Sequence, residues 1–140
     1  MLNKIILNWN NYPRVVKLLF SVYMLGFLVA TVNHVRDIWY GGFLPYSYAP
    51  LAFNVYWTSL TLLDPLAIIL LCYFPHQGMM LAVLIMASDI PINLYVTYAY
   101  WDSDIYSNWL LYGQILFGIF LFATVPIAWK RVGGRSSKIG

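Results

Sequence analysis

A chain of 140 residues that is 61% hydrophobic, 19% aromatic and only 9% charged carries more apolar surface than a soluble core of that size can hide, and its mean hydropathy of +0.69 places it in a membrane. The net charge of +3 is gathered at the two ends of the chain, which reads as membrane topology and argues against a nucleic-acid face. A single cysteine, Cys72, excludes an internal disulfide and a cysteine-rich metal site, and there is no Gly-rich phosphate loop, metal-binding histidine pair or nucleophile elbow.

Crossing a bilayer takes roughly 20 mainly apolar residues, and four such segments fit with short connections, at about 15–35, 51–74, 78–100 and 109–129. The expected fold is an all-α integral membrane protein, a four-helix transmembrane bundle, with residues 1–140 as a single membrane domain. Ahead of the first span, Leu2, Ile5, Ile6 and Trp9 recur at helical spacing among Asn3, Lys4, Asn8 and Asn10. That is the pattern of a short interfacial helix, which Pro13 ends. No small-x-small cleavage site follows the first span, so it is expected to be retained. Its polar positions Tyr23, Thr31 and His34 fall near one face, expected to turn inward. From Arg36 to Pro50 the tryptophan and tyrosines suit the headgroup region, while Gly41, Gly42, Pro45 and Pro50 argue against a regular helix; this stretch is expected to cover one mouth of the bundle.

The second span carries Asp64-Pro65, and stepping back from Asp64 by helical spacing meets Thr61, Trp57 and Asn54 on one side. A turn, Phe74-Pro75-His76-Gln77-Gly78, leads to the third span with Asp89-Ile90-Pro91-Ile92-Asn93. The two spans read as a membrane hairpin with one carboxyl near the middle of each arm. A charge at that depth costs a few kcal/mol even on lenient insertion scales, so an intramembrane Asp is a functional-site hypothesis by default. Each also neighbours a proline, which removes a backbone donor and frees a carbonyl one turn earlier, so both arms are expected to kink or loosen. In the fourth span Gln114 and Gly118 lie one turn apart, with Pro126 near its end.

Lys4, Arg14 and Lys17 precede the first span, and Lys130, Arg131, Arg135 and Lys138 follow the last, whereas Arg36 is offset by Asp37 and the loop near Ser103 holds Asp102 and Asp104. The positive-inside rule then makes both termini cytoplasmic, in a bacterial inner membrane or an ER-type membrane. Asp64 and Asp89 fall near mid-membrane in that orientation, with His34, Arg36 and Asp37 at the outer mouth.

Removing a carboxylate from water disfavours its charged form, so an Asp at this depth is expected to be neutral unless a base pairs with it, and no Lys or Arg lies at matching depth. A neutral Asp donates a hydrogen bond or shuttles a proton; equally, it ties up a carbonyl freed at a proline. Both readings stay open. Candidate acid–base groups are Asp64, Asp89, His34 and Asp37. Candidate ligand-lining groups are Tyr23, Asn54, Tyr56, Trp57, Thr61, Asn93 and Gln114.

The order of features resembles the EXPERA family, the four-helix membrane fold shared by sterol delta8-delta7 isomerases and the sigma-two receptor. The likeness runs from Gly26 to Arg131: a first span ending in His34-Val35-Arg36-Asp37-Ile38-Trp39, a second with Pro65 in its lower half, a third with Asp89, Asn93 and Tyr95, and a fourth ending in Pro126 and basic residues. In that family a glutamate lies nine residues before the span-two proline; the position here is Tyr56, and the chain contains no glutamate. Asp37 is similar in place to an acidic residue at the end of the family's first span, and His34 to the isomerases' histidine, with spacing that differs by one.

The function expected is a pocket that binds, or isomerises, a small hydrophobic or lipid-like molecule. Alternatives are a small proton-coupled transporter or channel subunit, and a structural subunit of a membrane complex. Expected partners are membrane lipids and the hydrophobic ligand, with a homo-oligomer left open; no cofactor, metal or nucleic acid is expected.

Overall fold

The computed structural model describes residues 9–100 and 108–133. Four long helices account for most of them: α1 (Arg14–Gly41), α2 (Leu51–Tyr73), α3 (Pro75–Tyr100) and α4 (Trp109–Gly133), with no strand among the described residues. Each helix packs on its neighbour in sequence, and α1 returns to meet α4 more sparsely, which closes a four-helix ring. Short connections make neighbours antiparallel. The bundle therefore has a hairpin end, holding Arg14, the α2–α3 turn and Gly133, and a loop end, holding Gly41, the segment 42–50, Tyr100 and Trp109.

All four helices are long and apolar enough to span a membrane. Their packing agrees. Val16, Phe20, Tyr23 and Phe27 of α1 recur on one face and meet Leu60, Ala67 and Leu71 of α2, Met79, Ala82 and Met86 of α3, and Leu121 of α4 in a continuous core. Yet no more than 33% of any of the four apolar windows is buried. Leu28, Leu62, Leu84 and Leu116 are exposed, which suits a hydrocarbon surrounding.

The structure corrects two boundaries. First, α1 continues past residue 35 to Gly41, so Arg36–Gly41 is helical where a loop was expected. Its 28 residues extend about 42 Å, beyond a hydrocarbon layer of about 30 Å, and nothing breaks it before Gly42. That glycine adopts φ +84° and donates its N–H to the Ile38 carbonyl at 2.9 Å, a capping geometry L side chains resist. Second, the α2–α3 turn shrinks to Phe74 alone, because Pro75 occupies the first position of α3, where a missing N–H costs nothing. Gly78 permits this tight turn: a Cβ there would collide with the backbone of Leu71. Through Pro65 and Pro91 both α2 and α3 stay helical, with packing on both neighbours to tolerate the bond each proline omits.

Trp9–Asn11 is helical before Pro13, and Lys17 Nζ donates to the Asn10 carbonyl at 3.2 Å. The rest of the expected interfacial helix, and the loop around Ser103, fall outside the described residues.

Candidate functional site

The seam between α1 and α4 is closed in its hairpin half and open in its loop half. Tyr23 Oη and Thr124 Oγ1 share a 2.7 Å hydrogen bond, and edge-to-face pairs join Tyr23 to Phe120 (6.0 Å) and Phe27 to Phe117 (5.7 Å). Above Phe117 the helices separate around a cavity of about 850 Å³. Val22, Leu25, Ala30, Leu110, Gly113 and Val96 give it apolar walls, while Trp57, Asp64, Asp89, Asn93, Gln114 and His34 bring polar atoms to it from all four helices.

The two mid-helix acids sit in contrasting surroundings. Asp89 is dressed as an acceptor: Asn93 Nδ2 donates to Oδ1 at 2.9 Å, Gln114 Nε2 donates to Oδ2 from α4, and the Trp57 indole of α2 is directed at the carboxyl without reaching hydrogen-bond geometry. Asp64 is 1% exposed. Its Oδ2 is buried without a hydrogen-bond partner, and His34 Nε2 approaches it to 3.9 Å. Asp64 thus faces a ring nitrogen and empty hydrogen-bonding capacity, whereas Asp89 is tied by hydrogen bonds within α3 and to α4.

A helical side chain leans toward its helix N-terminus, so His34 reaches down from the loop end to the depth of Asp64. The sequence placed His34 at the mouth, apart from the mid-membrane acids; the fold joins them. It also resolves how His34 and Asp37 relate. They do not touch directly: Tyr46, from the loop between α1 and α2, places its hydroxyl between them, 2.9 Å from His34 Nδ1 and donating to Asp37 Oδ2 at 3.0 Å. Asn54 holds that loop by accepting the Tyr46 N–H at 3.2 Å and donating to the Leu44 carbonyl at 3.1 Å. The Tyr46 ring leans on Trp57, with centroids 5.0 Å apart. Burial first, and then the Asp37 charge and hydrogen bond, hold the Tyr46 phenol well above its ordinary range; burial and Asp37 raise Tyr48 likewise.

Seven candidates from the sequence line the cavity together: His34, Asp37, Trp57, Asp64, Asp89, Asn93 and Gln114. Four others stand elsewhere. Tyr23 fastens α1 to α4, Asn54 fastens the loop, and Tyr56 fastens α2 to α3 through a 2.7 Å bond to Ser88 Oγ. Thr61 is buried beside the site, its hydroxyl without a hydrogen-bond partner. Tyr46 was missed as a site residue. Its aromatic neighbours mark it as a headgroup anchor, and twelve positions of loop and helix end separate it from His34, a distance at which periodicity says nothing.

Among the described residues Arg36 is the one cation lining the cavity, at its mouth, 4.0 Å from Asp37. Compared with known proteins, the chain matches no family model, no curated protein and no solved structure.

Proposed function

We propose that the α1–α4 cavity takes up a small hydrophobic, lipid-like molecule from the membrane and holds its polar end against Asp64 and Trp57. The observation that carries this reading is a pair of buried polar atoms, Asp64 Oδ2 and Trp57 Nε1, with no hydrogen-bond partner in the protein, beside an 850 Å³ cavity whose other deep polar groups, Asp89, Asn93 and Gln114, are bonded to one another. Buried polar groups in folded proteins are nearly always partnered. A cavity of about 300–1,000 Å³ suits a ligand of drug or lipid size. A ligand with one hydrogen-bonding group and an apolar body meets both requirements.

Asp64 beside His34 equips the same site for proton transfer to or from the bound molecule, so conversion of the ligand belongs to the proposal. So does kinship with the EXPERA fold. In that reading the span-two acid is Asp64, two turns deeper than Tyr56. Arg14, Lys17, Lys130 and Arg131 at the hairpin end support a cytoplasmic position for both termini, in a bacterial inner or ER-type membrane.

The test is mass spectrometry of organic extracts from protein purified in mild detergent. Wild type should retain a lipid-like molecule that Gly113→Phe loses and of which Asp64→Asn holds less. Identical extracts from all three, matching those of an unrelated membrane protein, would sink the proposal. A second reading, proton-coupled transport, draws on the run of proton-bearing groups from Asp64 to the loop end, and predicts that Asp64→Asn abolishes coupled flux in liposomes while substrate binding survives.

A further inference from the structure

We infer that Tyr46 completes a proton relay, Asp64–His34–Tyr46–Asp37, through which the buried acid exchanges protons with water at the loop end of the bundle. The relay is built from one orphaned atom and two hydrogen bonds. Asp64 Oδ2, buried and unpartnered, faces His34 Nε2 at 3.9 Å, a gap that a small side-chain rotation or one water closes. On the other side of the ring, His34 Nδ1 lies 2.9 Å from Tyr46 Oη, and Tyr46 donates to Asp37 Oδ2 at 3.0 Å. Asp37, with 35% of its side chain exposed, is the member that meets water; the histidine and Asp64 side chains are 16% and 2% exposed.

The direction of these bonds fixes the histidine tautomer. With its one hydrogen committed to Asp37, the Tyr46 oxygen can only accept from His34, so Nδ1 carries the ring proton and Nε2 presents a lone pair to Asp64. Every donor then points the same way. One outward step breaks the O–H bond of Asp64, the Nδ1–H bond of His34 and the O–H bond of Tyr46. It forms Nε2–H on His34, O–H on Tyr46 and O–H on Asp37. Asp64 ends ionised and Asp37 neutral, with imidazole and phenol neutral throughout, and the reverse sequence reloads Asp64. No tyrosinate is required, which suits a phenol as resistant to ionisation as Tyr46.

Other titratable groups surround the relay without belonging to it. Asp89 of α3 and Tyr56 of α2 face Asp64, Tyr48 and Asp89 act on Tyr46, and Arg36 stands by Asp37. Asp89 is held by Asn93 and Gln114, which removes it from the path. The relay rests on the chain's own geometry, not on the ligand reading, and its test uses no ligand.

The experiment follows hydrogen–deuterium exchange at the Asp64 carboxyl in proteoliposomes, through the infrared carbonyl band that Asp64→Asn deletes. Tyr46→Phe removes the bridging hydroxyl and should slow that exchange at least tenfold, while backbone amide exchange in the helices and the rate in Tyr98→Phe, at an exposed remote ring, stay at wild-type values. Asp37→Asn should slow it as well. Equal rates in wild type and Tyr46→Phe would overturn the relay in favour of direct exchange through the cavity. Should Tyr46→Phe fail to fold, nitrogen-15 NMR of wild-type histidine decides at a pH where the infrared band shows Asp64 protonated: a neutral His34 protonated on Nδ1 upholds the relay, and one protonated on Nε2 in that state overturns it.

Discussion

Two aspartates of equal sequence rank answer differently to the same substitution, because each oxygen of Asp89 accepts from a side-chain amide and Asp64 has no donor. Asp64→Asn puts an amide where the protein offers no competing donor, so stability should change by less than about 1 kcal/mol while ligand retention weakens by roughly 0.5–1.5 kcal/mol. Asp89→Asn instead turns an amide against Asn93 or Gln114, both donors to this carboxyl, and should cost about 1–3 kcal/mol of stability. Chemical unfolding of the two variants in detergent checks the contrast; equal losses would refute it. The phenols Tyr46 and Tyr48 give a second residue-level expectation. Their folded-state pKa values are raised, so the fold favours the neutral form. Below about pH 10, the ordinary phenol value, that contribution is fully present; above it the unfolded chain ionises first and stability falls. Tyr46→Phe should therefore start less stable, having lost two hydrogen bonds, and decline less steeply between neutral pH and the alkaline limit. Parallel decline in the two proteins would count against a buried Tyr46. The sequence made Asp64, Asp89 and His34 legible through the cost of polar groups in an apolar run. It could not reveal that Tyr46 joins His34 to Asp37, because a loop has no period from which to read direction.

At the scale of the helix, glycines separate positions where backbones must meet from positions where space is left over. Gly78→Ala forces a Cβ into the Leu71 backbone across the one-residue turn and should destabilise by about 1–3 kcal/mol. Gly113 borders the cavity, and a Cβ added there meets nothing within 4 Å. Gly113→Ala should consequently stabilise α4 by up to about 1 kcal/mol, and Gly113→Phe should fold yet fill the cavity. Thermal unfolding orders the series; a destabilised Gly113→Ala would show the cavity wall to be misplaced. Span two and the start of span four were readable nearly to the residue, since hydrophobic runs end where loops begin, whereas α4 continues four residues past the expected end, through Lys130 and Arg131 to Gly133. Residues 36–41 were not, because tryptophan, tyrosine and charge are as compatible with a helix emerging from the bilayer as with a headgroup loop.

For the whole molecule, the proposed orientation makes the loop end external. In a Cys72→Ala background, Ser47→Cys should react with an impermeant thiol reagent added outside intact cells, and Ser136→Cys only after permeabilisation; the opposite pattern reverses the topology. The one-residue connection between α2 and α3 has a consequence for how the chain enters its membrane. Only Phe74 separates the two helices, which leaves little chain to wait in water between them and favours their insertion together over one at a time. Entry as a helical hairpin would carry Asp64 and Asp89 in together. Each acid alone carries an insertion cost of about 2.5–3.5 kcal/mol at helix centre, and pairing lets each arm shield the other's carboxyl from lipid during entry. The tightness of a turn at the membrane surface thereby favours the joint delivery of the two most polar residues at its centre.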